Sequence, residues 1–599
     1  MKQSRKIRRS WLRIVPEWMR CFARSVLRVI KLSSSRVIKS AKIVGEGCAT
    51  FARVINSGFR TLDSGLKAHT KEWAAAALAA GLIVTPYSVD MAAGGWQLAA
   101  VNAAPQDGVV VGGQATIVQA GAVTNIVQST QRAAIDWTSF DIAKNETVNF
   151  QQPNASAVAL NRILGNNPTA IYGQLNANGQ VYLSNPNGML FAPGAQINVA
   201  GLIATTSHVD PLAFMQTGLI STGERNGTIN MQGSIFASGG LVEIKGATAI
   251  NVGGLIKATK LNGDGGVITI NNAENIIVNG TLDASAAFSS PFLAINSTGN
   301  GGHVSIIADK TSGVLNVSGA TLRARGGSVN GDGGYIETSG SEIYGLDYVD
   351  IDASSTAGIP GTWSIDPLNF TITTGTAALS NTGIGATKLN QLLGLQNIVI
   401  VTDNTQGSQA GGIVVNARVT WNAYTSLTLS AYDNIYINYN ITNINQGGLH
   451  LTADSANLHL AGHGVVSFSP GVTVNVQTAT IVAQPLSYND RIAFTARGGL
   501  VGQYRVLDYT DLDNVRNDIT ANASYTQYAD IIATGDFTPI GTVDNTFMAN
   551  YNGHGKTISN LTFNQGVDGS NPSWATIITT TLLRFSLGAF FVWNVLNAC

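Results

Sequence analysis

The sequence predicts an all-β protein: a right-handed parallel β-helix (solenoid) preceded by an extended signal peptide. Three observations lead to this prediction. Short runs of alternating apolar residues are separated by turn residues, and a segment of about 20 residues recurs along the chain. The composition is rich in glycine, with 66 of 599 residues, and poor in charged residues, at 12%. It is typical of an ordered all-β chain rather than of a disordered or coiled-coil one.

The first 104 residues are the predicted leader. Residues 1–72 hold 17 Lys and Arg against 4 Asp and Glu, and the apolar run Trp73–Thr85 follows them. A basic region, an apolar core and then small residues are typical of a signal peptide, which we expect to be cleaved between about residues 88 and 104. The apolar run is short for a membrane span. A buried helix is the alternative for this run, and a nucleic-acid-binding arm is the alternative for the basic residues.

The rest of the chain is acidic and almost free of cysteine. Residues 73–599 hold 18 Lys and Arg against 31 Asp and Glu. Binding of nucleic acid needs a basic face, so this composition argues against it. The three cysteines are Cys21, Cys48 and Cys599, which leaves the body without a disulfide framework or a thiolate metal site.

The segment 180–206 shows the strand and turn pattern most clearly. Val181 and Leu183 alternate with less apolar neighbours, and Asn185 to Gly188, Asn-Pro-Asn-Gly, then supplies a turn with an expected positive φ at its glycine. Extension resumes at 189–191 and again beyond the next turn. Strands of about three to six residues are too short for a free-standing sheet, so we expect neighbours stacked above and below them.

An internal repeat supplies those neighbours. Residues 239–259 and 265–285 align over their whole length without a gap, and 301–325 is a third copy with small insertions. Apolar residues come in pairs two apart, as on one side of a strand, and glycine permits the corners. We therefore predict stacked coils of three short strands around one core of Val, Ile and Leu, with ladders of asparagine side chains that point inward or lie at the corners. A β-sandwich is the competing interpretation, but it predicts longer strands and no such repeat.

Residues 137–206 resemble the haemagglutination-activity (two-partner-secretion) domain of filamentous-haemagglutinin-type exoproteins. The resemblance is carried by Gln152-Pro153, Leu160-Asn161-Arg162, Gly173-Gln174-Leu175, Gly179-Gln180-Val181 and Asn185-Pro186-Asn187-Gly188. The family's second tetrad, Asn-Pro-Asn-Leu, does not occur as such, and Gln152-Pro153-Asn154-Ala155 lies near its place, as in the adhesin subgroup. The candidate secretion motif that the resemblance implies comprises Asn185, Pro186, Asn187, Gly188, Gln152, Pro153, Asn161 and Arg162.

Resemblance beyond this segment suggests a division of the chain into five parts. They are a leader at 1–104, a secretion domain at 105–345, further β-helix repeats at 346–485, the start of a Gly-Leu-rich repeat module at 486–573, and an apolar tail at 574–599. The tail departs from the strand pattern, and we interpret it as the product of a frameshift or premature stop. A membrane span is the alternative, although Arg584 near its middle would be costly in a bilayer.

The resemblance implies a non-enzymatic exoprotein of the adhesin or haemagglutinin type, secreted through the periplasm to the bacterial cell surface. Its expected partners are an outer-membrane β-barrel transporter, whose periplasmic domains bind the N-terminal β-helix, and a host cell surface or carbohydrate receptor. No nucleic acid, cofactor or metal is expected. The alternatives are a truncated delivery stalk of a contact-dependent inhibition toxin and, on fold analogy alone, a β-helix enzyme acting on polysaccharides.

Other groupings of reactive residues receive structural interpretations. His450, His459 and His463, with Asp454 between them, are interpreted as solvated or coil-lining. The two Asn-Gly-Asp-Gly-Gly segments, at 262–266 and 330–334, are interpreted as turns rather than calcium loops, because calcium-binding repeats of this kind recur every nine residues. The carboxylates at turns are interpreted as solvated charges: Asp350, Asp352, Asp511 and Asp513.

Overall fold

The computed structural model is a parallel β-helix, which confirms the predicted all-β fold class. It describes residues 104–561 except 219, 221–223, 287–297, 378–381, 404–410, 461–462, 536, 539 and 541–546. The predicted leader up to residue 103, the end of the predicted repeat module and the predicted tail at 574–599 therefore lie outside the described residues. Within the described ranges, no helix is long and apolar enough to cross a membrane.

The chain winds so that successive coils add strands to three mainly parallel sheets, called A, B and C. Sheet A comprises Arg132–Trp137, Val158–Ile163, Gln180–Ser184, His303–Ala308, Tyr335–Ser339, Thr362–Asp366, Asn397–Val401, Leu427–Ser430, Gly448–Thr452, Thr478–Ala483, Leu500–Val506, Ala523–Gln527 and Asn550–Asn552. Sheet B comprises Thr169–Ile171, Met189–Phe191, Asn226–Met231, Val314–Asn316 and Glu342–Tyr344. Sheet C comprises Ala115–Ala120, Val123–Gln128, Thr147–Gln151, Gln174–Ala177, Leu255–Ala258, Thr281–Asp283, Thr321–Arg323 and Asp350–Asp352.

Some strands are longer than predicted and belong to more than one sheet. They are Gln196–Thr205, Ser234–Val252 and Val267–Val278. The longest has 19 residues, and the expectation of uniformly short strands is wrong there. Strand pairing with the neighbouring coils resumes directly after the corners of this strand, where Gly240 and Gly246 turn the chain with φ of 82° and 73°.

The repeats found in the sequence lie directly on one another. Ile268 lies beside Val242 and Ile276 beside Ile250 in the parallel register of adjacent coils. The third copy continues the stack, with Val304 beside Ile268. The side chains inside the coils form one apolar core that extends from Ile126 to Ile558, which confirms the predicted continuous core.

An asparagine ladder is present, but it lies on the outer face of sheet C rather than inside the coils or at their corners, where it was expected. Its rungs are the side chains of Asn125, Asn149, Asn176 and Asn198. Each of the last three donates its Nδ2–H to the Oδ1 of the rung before it at 3.0 Å. Farther along the same face the pairs are ionic, and Lys257 Nζ lies 3.6 Å from Asp283 Oδ2. The ladder joins four consecutive coils without using a charged group.

Replacing Asn149 with aspartate should lower the free energy of unfolding by about 1–3 kcal/mol at neutral pH. The carboxylate cannot donate to Asn125 Oδ1 and faces that oxygen instead. Urea unfolding at neutral pH and near pH 4 measures the effect, which should shrink as the carboxyl group is protonated. Thr147→Asp on the same strand, outside the ladder, is the control. An equal loss in both variants would mean that the ladder is not responsible.

An antiparallel hairpin closes the N-terminal end. Ala115–Ala120 and Val123–Gln128 pair antiparallel, and the second of these strands then pairs in parallel with Thr147–Gln151. Val109–Gly112 pairs antiparallel with Arg132–Trp137. The sequence pattern alone does not indicate this antiparallel start. A terminal coil has no earlier coil to cover its edge, so a different element has to cap it.

Two further sheets, D and E, accompany sheet A in the second half. Sheet D comprises Phe370–Thr373, Gly383–Gly385, Ile413–Val415, Ile435–Ile437 and Val466–Phe468. Sheet E comprises Val419–Trp421, Ile441–Asn443, Val474–Val476 and Phe494–Ala496. Ile531–Ile532 pairs with Ile558–Ser559. Among the described residues the helices are α1 (Pro211–Thr217), α2 (Ala386–Leu393), α3 (Tyr488–Ile492) and α4 (Tyr509–Asn514), and α4 is followed by a 3-10 turn at Val515–Asn517.

The core changes character near its C-terminal end. Tyr504, Tyr525 and Tyr551 stack on consecutive strands of sheet A, with ring centroids 5.0 and 6.4 Å apart. Their hydroxyls reach polar partners, and Tyr525 donates to the Asp518 carbonyl at 2.7 Å. A tyrosine stack therefore replaces the aliphatic stack of the earlier coils.

Strand pairing is continuous through residue 345, and the predicted domain boundaries stay predictions.

Candidate functional site

The candidate secretion motif lies along sheet A of the first coils. Gln152 and Pro153 form the corner between sheets C and A, and Asn161 and Arg162 lie within sheet A on Val158–Ile163. Asn185 to Gly188 form the corner between sheets A and B. The structure thus brings together residues far apart in sequence on neighbouring coils, at the two ends and in the middle of one sheet.

The buried side chain of Asn185 holds its corner together by hydrogen bonds. The side chain is fully buried, and its Nδ2 donates to the Asn167 carbonyl and to Thr169 Oγ1, both at 3.0 Å. Its Oδ1 accepts the Asn187 backbone N–H at 3.0 Å, as in an Asx turn. One amide therefore fixes its own turn and ties it to the turn of the preceding coil.

Gly188 has the positive φ expected from the sequence, at 106°. A Cβ at this position would lie 2.6 Å from the Thr228 carbonyl oxygen on the following coil. Its own carbonyl accepts the Thr169 N–H of the preceding coil at 3.1 Å. The residue is therefore held between two coils in a space and conformation suited to glycine.

Asn187 is the exposed residue of this turn. Its Nδ2 donates to the Gly165 carbonyl at 2.8 Å and to Asn185 Oδ1 at 3.1 Å. Pro186 is only partly exposed. Within the tetrad, Asn187 is thus the side chain best placed to touch another molecule.

Asn161 closes a buried polar bond inside the coil. It is fully buried, and its Oδ1 accepts the Trp137 Nε1–H at 3.0 Å. Its Nδ2 donates to the carbonyls of Ala159 and Tyr182 at 3.2 and 3.3 Å. The amide therefore satisfies an indole N–H that would otherwise be buried without a partner.

Arg162 points to the opposite face of the same strand. Its Nε and Nη2 donate to the two carboxylate oxygens of Asp136 at 2.7 and 2.6 Å, a bidentate pair across neighbouring coils. Its Nη1 donates to the Val209 carbonyl at 3.1 Å. The guanidinium thus ties the coils to the segment that leads into α1.

Helix α1 and the residues before it cover the outer face of sheet A. Phe214 packs edge-on against Tyr182, with ring centroids 5.9 Å apart, within a second apolar cluster that includes Leu160 and Ile203. Asp210 caps the helix by accepting N–H groups of its first turn. Sheet A is therefore buried on both faces here.

Gln152 clamps the remaining corner. The side chain is buried, and its Nε2 donates to Gln128 Oε1 and to the carbonyls of Ala157 and Gln180 at 3.0–3.1 Å. Pro153 beside it is exposed. Gln152 therefore connects three coils, whereas Pro153 faces outward.

Most side chains of the candidate motif are therefore bonded within the coils and fix their shape. Only Asn187 and Pro153 are exposed to another molecule. Sequence reasoning missed Trp137 and Asp136 as partners of Asn161 and Arg162. Trp137 and Asn161 are 24 residues apart, about one coil, and this spacing is the signal that could have paired them.

Comparisons with known proteins identify this region. Residues 101–340 match the model of the family described as TPS secretion domain. The chain carries a two-partner-secretion domain. The match covers 240 of the 599 residues.

The chain has relatives in Haemophilus influenzae. A heme/hemopexin-binding protein of strain Rd is 36% identical over 203 residues, which are 34% of this chain and 20% of that protein. A second protein of that name is 48% identical over 110 residues, 18% of this chain and 12% of the relative. The aligned part thus spans about a fifth or less of these relatives' length.

Solved structures similar to the chain are also secretion domains. The HMW1 secretion domain from Haemophilus influenzae has a TM-score of 0.26 and 17% identity, covering 75% of this chain and 98% of that one. A filamentous hemagglutinin secretion domain has a TM-score of 0.21 and 15% identity, covering 63% and 99%.

Beyond the secretion domain, the histidines are spread over one corner of the β-helix. His450 lies on Gly448–Thr452, the His459 ring stacks on Tyr528 with centroids 3.8 Å apart, and His463 Nδ1 lies 2.7 Å from Asp433 Oδ1. Burial lowers the pKa of His450 and of His459. Among the described residues, no three His, Cys, Asp or Glu side chains form a group that could hold a metal ion.

The aspartates of the two Asn-Gly-Asp-Gly-Gly segments serve as turn residues, as predicted. Asp264 Oδ1 accepts the Asn300 N–H at 2.9 Å, and Asp332 Oδ1 accepts the Ile359 N–H at 2.8 Å. Each carboxylate therefore bonds the turn of the following coil.

The carboxylates interpreted as solvated are more engaged than predicted. Asp350 and Asp352 lie 3.5 and 3.7 Å from the guanidinium groups of Arg323 and Arg325, and Asp513 pairs with Arg516. For Asp511 the prediction is wrong, because only 4% of the residue is exposed. It lies in α4, where its Oδ2 accepts the Leu507 N–H at 2.9 Å.

Burial raises the pKa of Asp511 to about 7, which makes the stability of the last coils depend on pH. The folded carboxyl keeps its proton at pH values where the unfolded chain has released it, so the contribution of Asp511 to stability is fully present below about pH 4 and is lost as the pH rises towards 7. The slope should not exceed about 1.4 kcal/mol per pH unit. Asp511→Asn should flatten it in urea unfolding experiments, whereas Asp513→Asn, its exposed neighbour, should not.

Proposed function

We propose that residues 104–340 are the export signal by which an outer-membrane β-barrel transporter recognises this chain in the periplasm. The chain would then reach the cell surface as a non-enzymatic exoprotein of the adhesin or haemagglutinin type, with a host cell surface or carbohydrate receptor as its second partner. The observation that carries the proposal is the family match over residues 101–340.

The geometry of the motif supports a division of labour within that signal. Asn185, Asn161 and Gln152 are buried, so they would act by fixing the corners of the coils. Asn187 and Pro153 are exposed, at opposite ends of sheet A, and would be available for contact. On this proposal the transporter recognises the corners at the two ends of sheet A once they have formed, rather than a linear peptide.

The ion pairing of carboxylates supports a non-enzymatic role. Polysaccharide-active enzymes need carboxylates with free oxygens that converge on one groove. Here the carboxylates of Asp350 and Asp352 form ion pairs with the guanidinium groups of Arg323 and Arg325 instead. We therefore favour a binding function over catalysis.

Co-expression of the full chain with its transporter tests the proposal. The mature chain should be accessible to protease added outside the cell, and a strain without the transporter should retain it in the periplasm. Cells displaying the chain should bind host cells better than cells lacking it. Export that is independent of any transporter would contradict the first part, and surface display without adhesion would contradict the second.

A further inference from the structure

Residues 453–460, called the clasp, follow the sheet A strand Gly448–Thr452 and extend over later coils. The next strands of sheet A are Thr478–Ala483, Leu500–Val506 and Ala523–Gln527. Three strand spacings amount to about 14 Å. The clasp bridges that distance, because the His459 ring stacks on Tyr528, directly after the third of these strands.

The aromatic contact at the tip of the clasp is close. The rings of His459 and Tyr528 are 3.8 Å apart between centroids and inclined by 22°. Tyr528 also meets His554 of the following coil edge-on, with centroids 5.3 Å apart. The tip is thus one member of a row of three aromatic side chains along the β-helix.

Arg505 anchors the middle of the clasp. This residue of Leu500–Val506 is 8% exposed, and its guanidinium donates to the Ala453 carbonyl at 2.7 Å and to Asn457 Oδ1 at 3.2 Å. Asp454 is 1% exposed and accepts the N–H groups of Leu458 and His459 at 2.7 and 3.0 Å. Buried polar groups therefore define the path of the clasp.

The backbone of the clasp passes through the left-handed region at three residues of types that tolerate it. Asp454, Asn457 and His459 have φ of 52°, 56° and 52°, in the left-handed region that residues with a Cβ rarely occupy. Such residues persist only where surrounding contacts hold them. The path of the clasp therefore depends on the contacts that Asp454 and Arg505 make with it.

We propose that residues 453–460 are an acid-sensitive clasp that fastens the coils before residue 485 to those after it and opens in a mildly acidic medium. The groups that face His459 are Asp454 in the clasp, Arg505, Tyr528 and His554. Protonated His459 would be repelled by the buried Arg505 guanidinium and by His554. Among these groups, only Asp454 would attract its positive charge.

The sign of the pH effect follows from the direction of the shift. Burial lowers the pKa of His459, and Arg505 and His554 lower it further against the attraction of Asp454. The closed clasp therefore binds a proton less readily than the open one. Its stability is fully present above the ordinary histidine pKa of about 6.5 and is lost as the pH falls through that range.

Hydrogen exchange of the full chain, corrected for the intrinsic pH dependence of exchange, tests the proposal. Amide protection of 453–460 should be lower near pH 5.5 than near pH 7.5, by at most about tenfold, because pH 5.5 lies about one unit below the ordinary histidine pKa. His459→Phe keeps a ring without a titratable proton, so its protection should be independent of pH. Tyr528→Ala and His459→Asn, which suits the left-handed backbone but lacks a stacking ring, should be unprotected at both pH values.

His208→Phe is the matched control, because His208 is an exposed histidine in the secretion domain; this variant should behave like the unmodified chain. Equal protection of the unmodified chain at the two pH values would overturn the proposal. So would a pH dependence that persists in His459→Phe, since it would assign the effect to another group such as the His463–Asp433 pair.

Discussion

Replacing Gly188 with valine should abolish secretion of the chain by disrupting the coils on both sides of it. Valine resists the positive φ of this residue, and its Cβ would lie 2.6 Å from the Thr228 carbonyl oxygen. Strain and clash together should cost about 3 kcal/mol or more. The secreted fraction in the presence of the transporter and the circular dichroism of the purified chain are the two measurements.

The matched variant is Asn187→Ala, one residue earlier in the same turn. It removes exposed hydrogen bonds, including the one to the Gly165 carbonyl, and should cost only about 0.5–1.5 kcal/mol. A chain with this change that stays folded but unsecreted would assign direct recognition to Asn187. Normal export of the double variant Asn187→Ala, Gly188→Val would show that the turn has neither a folding nor a recognition role.

Replacing Asn161 with alanine should have the second largest effect, a loss of about 3 kcal/mol in the free energy of unfolding. The change leaves the Trp137 N–H and the Tyr182 carbonyl buried without this partner. Neither group can reach water in the closed core, so the desolvation penalty is not recovered. Urea unfolding of the secreted chain, followed by the fluorescence of its tryptophans, measures the loss.

A double-mutant cycle separates the bond from the cavity that alanine leaves. Trp137→Phe removes the indole donor and keeps an aromatic ring in the core, so the cost of Asn161→Ala should be smaller in that background. Identical costs in both backgrounds would mean that the hydrogen bond contributes nothing. Asn198→Ala at the exposed end of the asparagine ladder is a control, and it should cost about 1 kcal/mol.

The repeats determined how much of the β-helix could be predicted. A gapless alignment of 239–259 with 265–285 predicts that Ile268 lies over Val242, because stacked coils keep the same side chain inward. The positive φ at Gly188 followed from the Asn-Gly pair in a turn. In both cases the decisive contact is local or repeats at a fixed offset, and the sequence pattern carries that information.

Contacts that depend on the path of an insertion could not be predicted in this way. Arg162 binds the Val209 carbonyl because the segment before α1 folds back over sheet A, and no periodic pattern marks that return. His459 reaches Tyr528 across three strand spacings. The burial of Asp511 was missed for the same reason, since a carboxylate in a turn-like sequence gives no sign of what packs over it.

The asparagine ladder of sheet C has a consequence for how the two ends of that sheet respond to ionic strength. Its four rungs, Asn125 to Asn198, carry no net charge, so added salt has nothing to screen there. On the same face farther along, the rungs are the ion pairs of Lys257 with Asp283 and of Arg323 with Asp350. At about 1 M salt the Debye length is roughly 3 Å, and attraction across those pairs is strongly attenuated. We therefore expect added salt to destabilise the later coils of sheet C more than the first four.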